Sequence, residues 1–195
     1  MKYLILVTWL LTLLVYAEEV ESAEKRGGNV PVLTPEQLEN FQFENQAEEE
    51  IVIVKDLNTG QQYTLDSDRR AMKELATRQL GILSFNQTLK DLEVIQKLID
   101  RKVIRRTEIR EWQSLGVVFG DVLAGELDLH WVSYQDDLGV SKALRWKKTE
   151  NYLFPVTMFS KRVKFKDEID VNAIFRTLKL DVEAFMRYES IHGRI

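Results

Sequence analysis

The chain has 195 residues and a formal net charge of −4, with 45% hydrophobic and 30% charged residues, which is typical of one globular domain with its own core. It contains no cysteine. This excludes disulfides, thiol nucleophiles, zinc–thiolate sites and iron–sulfur clusters, as well as a lipid-modified cysteine.

The first seventeen residues predict an export signal. Lys2 gives a short positive start, residues 3–16 are apolar apart from two threonines, and Val15 and Ala17 fit the small-x-small cleavage rule. The apolar run is short for a bilayer span and acidic residues follow it, so we interpret it as a cleaved signal, with a retained anchor as the alternative. We therefore expect a periplasmic or secreted protein that meets a membrane only before cleavage near Ala17.

Residues 18–50 form an acidic segment with ten acidic and two basic side chains. We interpret residues 18–33 as a flexible linker, and Thr34 and Pro35 as the cap and first position of a short N-terminal helix. The remaining residues, 51–195, hold 24 basic and 21 acidic side chains, a net charge of +3. The acidic segment is expected to be a solvated tether; the alternative is that it lies against the basic side of the domain.

Residues 51–65 predict a β-hairpin. Ile51 to Val54 are β-branched, residues 58–60 have turn chemistry, and Tyr63 and Leu65 alternate on the returning strand.

Three helices are predicted next from apolar residues at helical spacing. Their apolar stripes cover residues 72–83, 89–99 and about 107–123. Asn86 or Thr88 is the expected cap of the second helix, and this role explains their glycosylation-like sequon without further function.

Two glycines of the third helix stand one turn apart. Gly116 and Gly120 predict a packing notch that lets a neighbouring helix or the sheet approach closely. A phosphate-binding loop would need its glycines before the helix, so packing is the preferred interpretation. Gly125 is the expected stop of this helix.

The apolar period then changes from helical spacing to two. Residues 129–134, 140–146 and 152–155 predict three strands of an antiparallel meander, with the turn at 135–139. Apolar stripes in 156–163 and 171–185, the latter capped by Asp170, predict C-terminal helices. The fold class is therefore α+β in a single domain, 51–190: helices, a small antiparallel meander sheet, then helices.

The strongest candidates for chemistry are Asp121, His130 and Asp137. Together they are a possible metal-binding or acid–base set, but nothing in their spacing requires them to converge, and a structural or exposed His130 is favoured. The H-E-x-x-H motif is absent, and Ser114 lacks the first glycine of G-x-S-x-G. We predict no metal, no cofactor and no catalytic residue, and lean against an enzyme.

Basic and aromatic residues of the hairpin 129–146 and the following helix predict a binding surface. Its members are Trp131, Tyr134, Asp137, Arg145, Lys161 and Arg162. Nucleic acid would suit this mixture, but the export signal and the net negative charge argue against it. A protein partner or an anionic ligand is expected instead. An ion pair between Asp137 and Arg145 is the structural alternative.

One long stretch is similar to a known family. The motifs that carry the resemblance are LGVVFGDVLAGELDLHWVSYQDDLGVSKALRW, FPVTMFSKRV and IDV. They resemble the bacterial family called domain of unknown function 3806, over about residues 89–185. The resemblance implies a bacterial protein but brings no activity, cofactor or catalytic residue, and the acidic segment and first hairpin lie outside it.

We therefore hypothesise an exported, soluble, non-catalytic binding module of the periplasm. The first alternative is a metal-dependent or acid–base hydrolase using Asp121, His130 and Asp137. The second is an inhibitor or immunity partner of a secreted protein.

Overall fold

The computed structural model describes residues 52–192, so the predicted signal, acidic segment and N-terminal helix lie outside the described residues. Within this range five α-helices and four strands follow the α+β arrangement that the sequence predicts: one strand, three helices, three strands and two helices. The helices are α1 (Thr59–Leu80), α2 (Lys90–Asp100), α3 (Ile109–Leu127), α4 (Met158–Phe165) and α5 (Val171–Ile191), and the strands are β1 (Ile53–Asp56), β2 (His130–Asp136), β3 (Gly139–Arg145) and β4 (Tyr152–Leu153). None of the helices in this range combines the length and apolar character needed to cross a bilayer.

The predicted hairpin of residues 51–65 is wrong, because only its first strand forms. Asn58 caps α1: its side chain accepts from the Gln61 amide at 2.9 Å, while the Gln61 side chain accepts from the Asn58 amide at 3.0 Å. This reciprocal capping box starts a helix where turn chemistry alone suggested a reversal. Leu65 consequently faces the core from a helix and is buried.

The four strands form one antiparallel sheet in the order β1-β2-β3-β4. The predicted meander corresponds to β2, β3 and β4, and β1 adds a fourth strand at the edge of β2, with Val54 opposite Tyr134. The β2–β3 hairpin pairs His130 with Arg145 at its open end and Asp136 with Gly139 at the turn. Alternation along β2 then sends Trp131 to the helical side and Tyr134 to the opposite face.

Helix α3 is the centre of the core and contacts each of the other four helices. Its middle is buried on all sides, including Leu115, Phe119 and Leu123. A helix that is apolar around its whole circumference belongs inside a domain, because every face needs a partner that excludes water.

The glycine notch in α3 is a packing feature, as predicted. An ideal Cβ on Gly116 would lie 2.5 Å from the carbonyl oxygen of Pro155 and 2.6 Å from that of Val156. A Cβ on Gly120 would lie 2.5 Å from Cζ2 of the Trp131 ring. The connection after β4 and the sheet therefore touch the α3 backbone directly, which only glycine permits.

The predicted end of α3 is wrong. Gly125 does not end α3; the helix continues to Leu127 and closes on Asp128, which adopts a left-handed φ of 54°. Asp can occupy this conformation at modest cost. Gly125 instead lies under the loop before α2, where a Cβ would be 2.7 Å from the Gln87 carbonyl oxygen.

Neither Asn86 nor Thr88 caps α2 with its side chain. The buried carboxylate of Asp91, in the first turn, accepts the backbone N–H groups of Asn86, Gln87 and Thr88 at 2.8, 2.7 and 3.3 Å. One carboxylate therefore satisfies three amides and holds the 84–89 loop against the start of the helix, where the helix dipole favours negative charge.

The C-terminal helices agree with the sequence prediction. Asp170 caps α5 by accepting from the Ala173 amide at 2.8 Å. Val171, Phe175 and Val182 form the buried side of α5.

Candidate functional site

Asp121, the first candidate for chemistry, lies in a buried hydrogen-bond network. The Arg69 guanidinium, from α1, donates to both carboxylate oxygens of Asp121 at 2.7 Å. The indole N–H of Trp131 donates to Oδ1 at 2.9 Å, and Arg69 also donates to Asp66 at 2.7 Å. The hydrogen bond to Asp121 raises the pKa of Arg69 further, so the guanidinium stays charged. Both oxygens of Asp121 are engaged in a structural contact that joins α1, α3 and β2.

The other two candidates lie elsewhere on the sheet. His130 is exposed at the start of β2. Because the neighbouring Trp131 points to the helical side of the sheet, His130 points to the opposite face. Asp137 is exposed in the β2–β3 turn. Between residues 52 and 192 the structure contains no group of three histidine, aspartate or glutamate side chains that could hold a metal ion.

The predicted binding surface is divided between different parts of the molecule. Trp131 lies on the helical side of the sheet, whereas Tyr134 lies on the opposite face. Lys161 is exposed on α4, and the partly buried Arg162 donates to the Met158 carbonyl at 3.1 Å. A role for these residues in binding stays a prediction.

The ion pair between Asp137 and Arg145, given above as the structural alternative, does not form. The hairpin register puts Asp137 in the turn and Arg145 at the far end of β3. Arg145 instead donates to the carbonyl oxygens of Thr149 and Lys148 at 2.6 and 2.9 Å, and to Glu150 at 3.2 Å. It therefore organises the loop between β3 and β4.

Aromatic side chains gather on the sheet face that carries Tyr134. Its ring centroid lies 4.9 Å from that of Tyr152 and 5.1 Å from that of Phe154, both in edge-to-face geometry. The Arg145 guanidinium lies 5.4 Å from the Tyr152 ring. Sequence reasoning singled out Tyr134 and Arg145 but missed their neighbours, because only the pairing of β4 with β3 brings these rings together.

The pKa of Tyr152 is raised to about 12 by burial, and its 2.8 Å hydrogen bond to Glu150 acts in the same direction. The pKa of an unfolded tyrosine is about 10, so the folded state holds the Tyr152 proton more tightly. The contribution to stability is complete below about pH 10 and is lost as the pH rises to about 12. A near-ultraviolet phenolate titration should show a late phase that is smaller by one tyrosine in Tyr152→Phe; an unchanged late phase in that variant would contradict the assignment.

A small cavity of about 180 Å³ lies beside the Asp121 network. It is open to solvent and lined by α1, the 84–91 segment and α3, with Phe85 and Val118 as its apolar walls. Its charged lining residues are Arg69, Arg70, Lys73, Asp91 and Asp121.

Three of these five charges are already compensated. Arg69 and Asp121 are paired with each other, and Asp91 binds the three loop amides. Arg70 and Lys73 take part in no ion pair with any residue from 52 to 192; the Arg70 guanidinium only stacks on the Tyr63 ring at 5.7 Å. The cavity therefore has two available positive charges at its edge.

The sequence contains no pattern that would have revealed this cavity. Arg70 and Lys73 are ordinary surface charges of a helix until the 84–91 segment folds over them. That fold depends on the Asp91 carboxylate and on Gln87, which adopts a left-handed φ of 61°.

A family model described as Domain of unknown function (DUF3806) matches residues 91–175. Over this segment the chain is similar to the DUF3806 family. The DUF3806 segment runs from α2 into α5 and confirms the resemblance noted in the sequence. It contains Asp91 and Asp121 but not α1, so Arg69, Arg70 and Lys73 lie outside it.

No curated protein matches the chain. A crystal structure from Bacteroides thetaiotaomicron VPI-5482 is similar, with a TM-score of 0.60 and 17% identity over 68% of this chain. The chain spans 49% of that structure's length. At this identity the similarity shows the fold alone.

Proposed function

We propose that the protein is a non-catalytic binding module, acting outside the cytoplasm, and that its cavity beside Asp121 binds a small organic anion. The single observation that carries the proposal is the pair of uncompensated cations, Arg70 and Lys73, at the edge of a cavity with apolar walls.

The position of the two cations favours an anion over a neutral ligand. Arg70 and Lys73 are three residues apart on α1, so their side chains emerge from the same side of the helix. Phe85 and Val118 give one side of the cavity an apolar surface, beside which the attraction between a cation and a bound anion is stronger than in bulk water.

The size of the cavity limits the ligand. A volume of about 180 Å³ corresponds to roughly six water molecules at about 30 Å³ each. A carboxylate attached to one ring or a short alkyl chain has this size. The apolar walls favour such an organic anion over inorganic phosphate, because a bare phosphate has no group to place against Phe85.

The placement of the candidate catalytic residues supports binding rather than hydrolysis. A metal or substrate could use Asp121 only by displacing Arg69 and Trp131, which would leave buried donors unpaired. His130 faces away from Asp121, so the pair is not arranged as a general base and its orienting acid.

Benzoate should bind the purified chain more tightly than inorganic phosphate, with amide shifts in NMR spectra at residues 69–73 and 84–91. Arg70→Gln and Lys73→Gln should each weaken binding about tenfold, because a hydrogen bond to a charged group contributes about 1.5 kcal/mol. Arg176→Gln, on the exposed side of α5, is the matched control. Equal weakening by the control, or shifts confined to other regions, would refute this site.

Export has its own test. Mass spectrometry of the protein from periplasmic extract should give a chain that begins at Glu18, because Val15 and Ala17 fit the cleavage rule. A full-length chain recovered from the cytosol would overturn the proposed location without affecting the cavity.

A further inference from the structure

One side of α5 is an exposed and mostly apolar stripe. Its residues recur at alternating intervals of four and three, which is the spacing by which helices pair in coiled coils. They are Ala173, Thr177, Leu180, Ala184, Arg187 and Ile191, and we call them the α5 stripe. Leu180 is 66% exposed and Ile191 72%. Large apolar side chains therefore lie in water, where burial against a partner is favourable.

The opposite side of α5 holds the helix in the domain. Val171, Phe175 and Val182 are buried there and belong to the core. At 3.6 residues per turn these three positions lie across the helix from the α5 stripe. The core thus fixes α5 in place, and the stripe faces outward as one straight surface.

Charged residues along the α5 stripe have incomplete partners. Arg176 and Arg187 are exposed and form no ion pair with another residue of the described part of the chain. Glu183 lies on the same edge of the stripe as Arg176, two turns further on, and meets only Lys179, at 3.8 Å in an exposed pair. Asp170, three residues before the stripe, caps α5 through one of its two carboxylate oxygens.

These charges select one way of pairing two α5 helices. In a parallel pair each stripe residue faces its own copy, so Arg187 would meet Arg187. In an antiparallel pair centred near residue 182, Glu183 would meet Glu183. An antiparallel pair centred between residues 178 and 179 instead brings Arg176 to Glu183 and Arg187 to Asp170. Two-fold symmetry makes each of these contacts twice.

We propose that the protein forms a homodimer in which the α5 stripes of two copies pack antiparallel over residues 170–187. Leu180 of each copy lies beside the two-fold axis. Ala173 of one copy packs on Ala184 of the other, and these small side chains let the two helices approach closely. The overlap is about 26 Å long at 1.5 Å per residue. So short a contact gives a weak dimer, with a Kd of about 10–100 µM.

The test is sedimentation equilibrium of the purified chain up to about 300 µM. Leu180→Lys should be monomeric, because it places two like charges beside the axis. Arg176→Glu should raise the Kd at least about fivefold, because like charges replace both pairs with Glu183. Adding Glu183→Arg to Arg176→Glu should restore the association of the unaltered protein. Arg78→Glu, the same change at an exposed position of α1, is the matched control and should have no effect.

Three results would refute this dimer. They are a monomer at about 300 µM, a dimer that Leu180→Lys leaves intact, and rescue of Arg176→Glu by Asp181→Arg in place of Glu183→Arg, which indicates a parallel pair. The substituted positions are exposed, so the midpoint of thermal unfolding in dilute solution should stay unchanged and show that each variant is folded. The α5 stripe does not line the cavity beside Asp121, so failure of either proposal leaves the other unaffected.

Discussion

Replacing Asp121 with alanine is expected to lower the free energy of unfolding by about 3 kcal/mol, at the lower end of the range for a broken buried ion pair. The Asp121 side chain is 8% exposed and that of Arg69 32%, so partial access to water moderates the cost. The variant leaves the Arg69 guanidinium with Asp66 as its remaining carboxylate partner, and the Trp131 N–H without its acceptor. Urea unfolding monitored by tryptophan fluorescence measures the change.

A double-mutant cycle identifies the physical cause. If the cost comes from removing the buried partner of the Arg69 charge, Arg69→Ala with Asp121→Ala should be much less destabilised than the sum of the two single variants. Strictly additive effects would mean that the ion pair contributes little and that Asp121 acts through packing and its hydrogen bond from Trp131. The hydrogen bond from Trp131 is lost in both variants that lack Asp121, so its loss cancels from the comparison.

Replacing Gly116 with alanine is expected to cost about 2–3 kcal/mol. The added methyl group would meet the carbonyl oxygens of Pro155 and Val156 at 2.5 and 2.6 Å. Both contacts are backbone atoms, so relief requires the connection between β4 and α4 to move away from α3. The higher helix propensity of alanine, about 1 kcal/mol, offsets only part of the clash.

Gly60→Ala is the matched control for Gly116→Ala. Gly60 lies in the first turn of α1, where an added Cβ meets nothing closer than 3.4 Å. The same substitution should here stabilise the protein by about 0.5 kcal/mol, because alanine loses less backbone entropy on folding. If close backbone approach is what requires glycine at position 116, the unfolding temperature should fall in Gly116→Ala and rise in Gly60→Ala. A stable Gly116→Ala variant would show that the notch is not a tight contact.

Local signals predicted much of the fold. The two-residue alternation of β2 and β3 and the Asp170 cap of α5 depend on neighbours a few positions away, so they were readable directly. The hairpin prediction at 51–65 failed for the same local reason: Asn58 favours both a turn and a helix cap. Gln61, three residues on, was the available signal for the cap.

The candidate sites were less predictable. Asp121 stood out as a charged residue in an apolar helix, but its partner Arg69 lies 52 positions earlier. A lone buried carboxylate is compatible with catalysis, metal binding or an ion pair, and the chemistry depends on which group meets it. Arg70 and Lys73 carried no signal at all, because exposed cations on a helix are ordinary.

By itself the sequence determined the α+β class, the absence of thiol chemistry, the packing role of the glycine pair and the resemblance to an uncharacterised family. These follow from composition and short-range periodicity, which need no knowledge of distant contacts. Only the tertiary structure decided that β1 pairs with β2, that Asp121 is neutralised by Arg69, and which cations and carboxylates remain unpaired. The physical reason is that a charge acquires its role from the groups within a few ångströms, and folding brings those groups from remote parts of the chain.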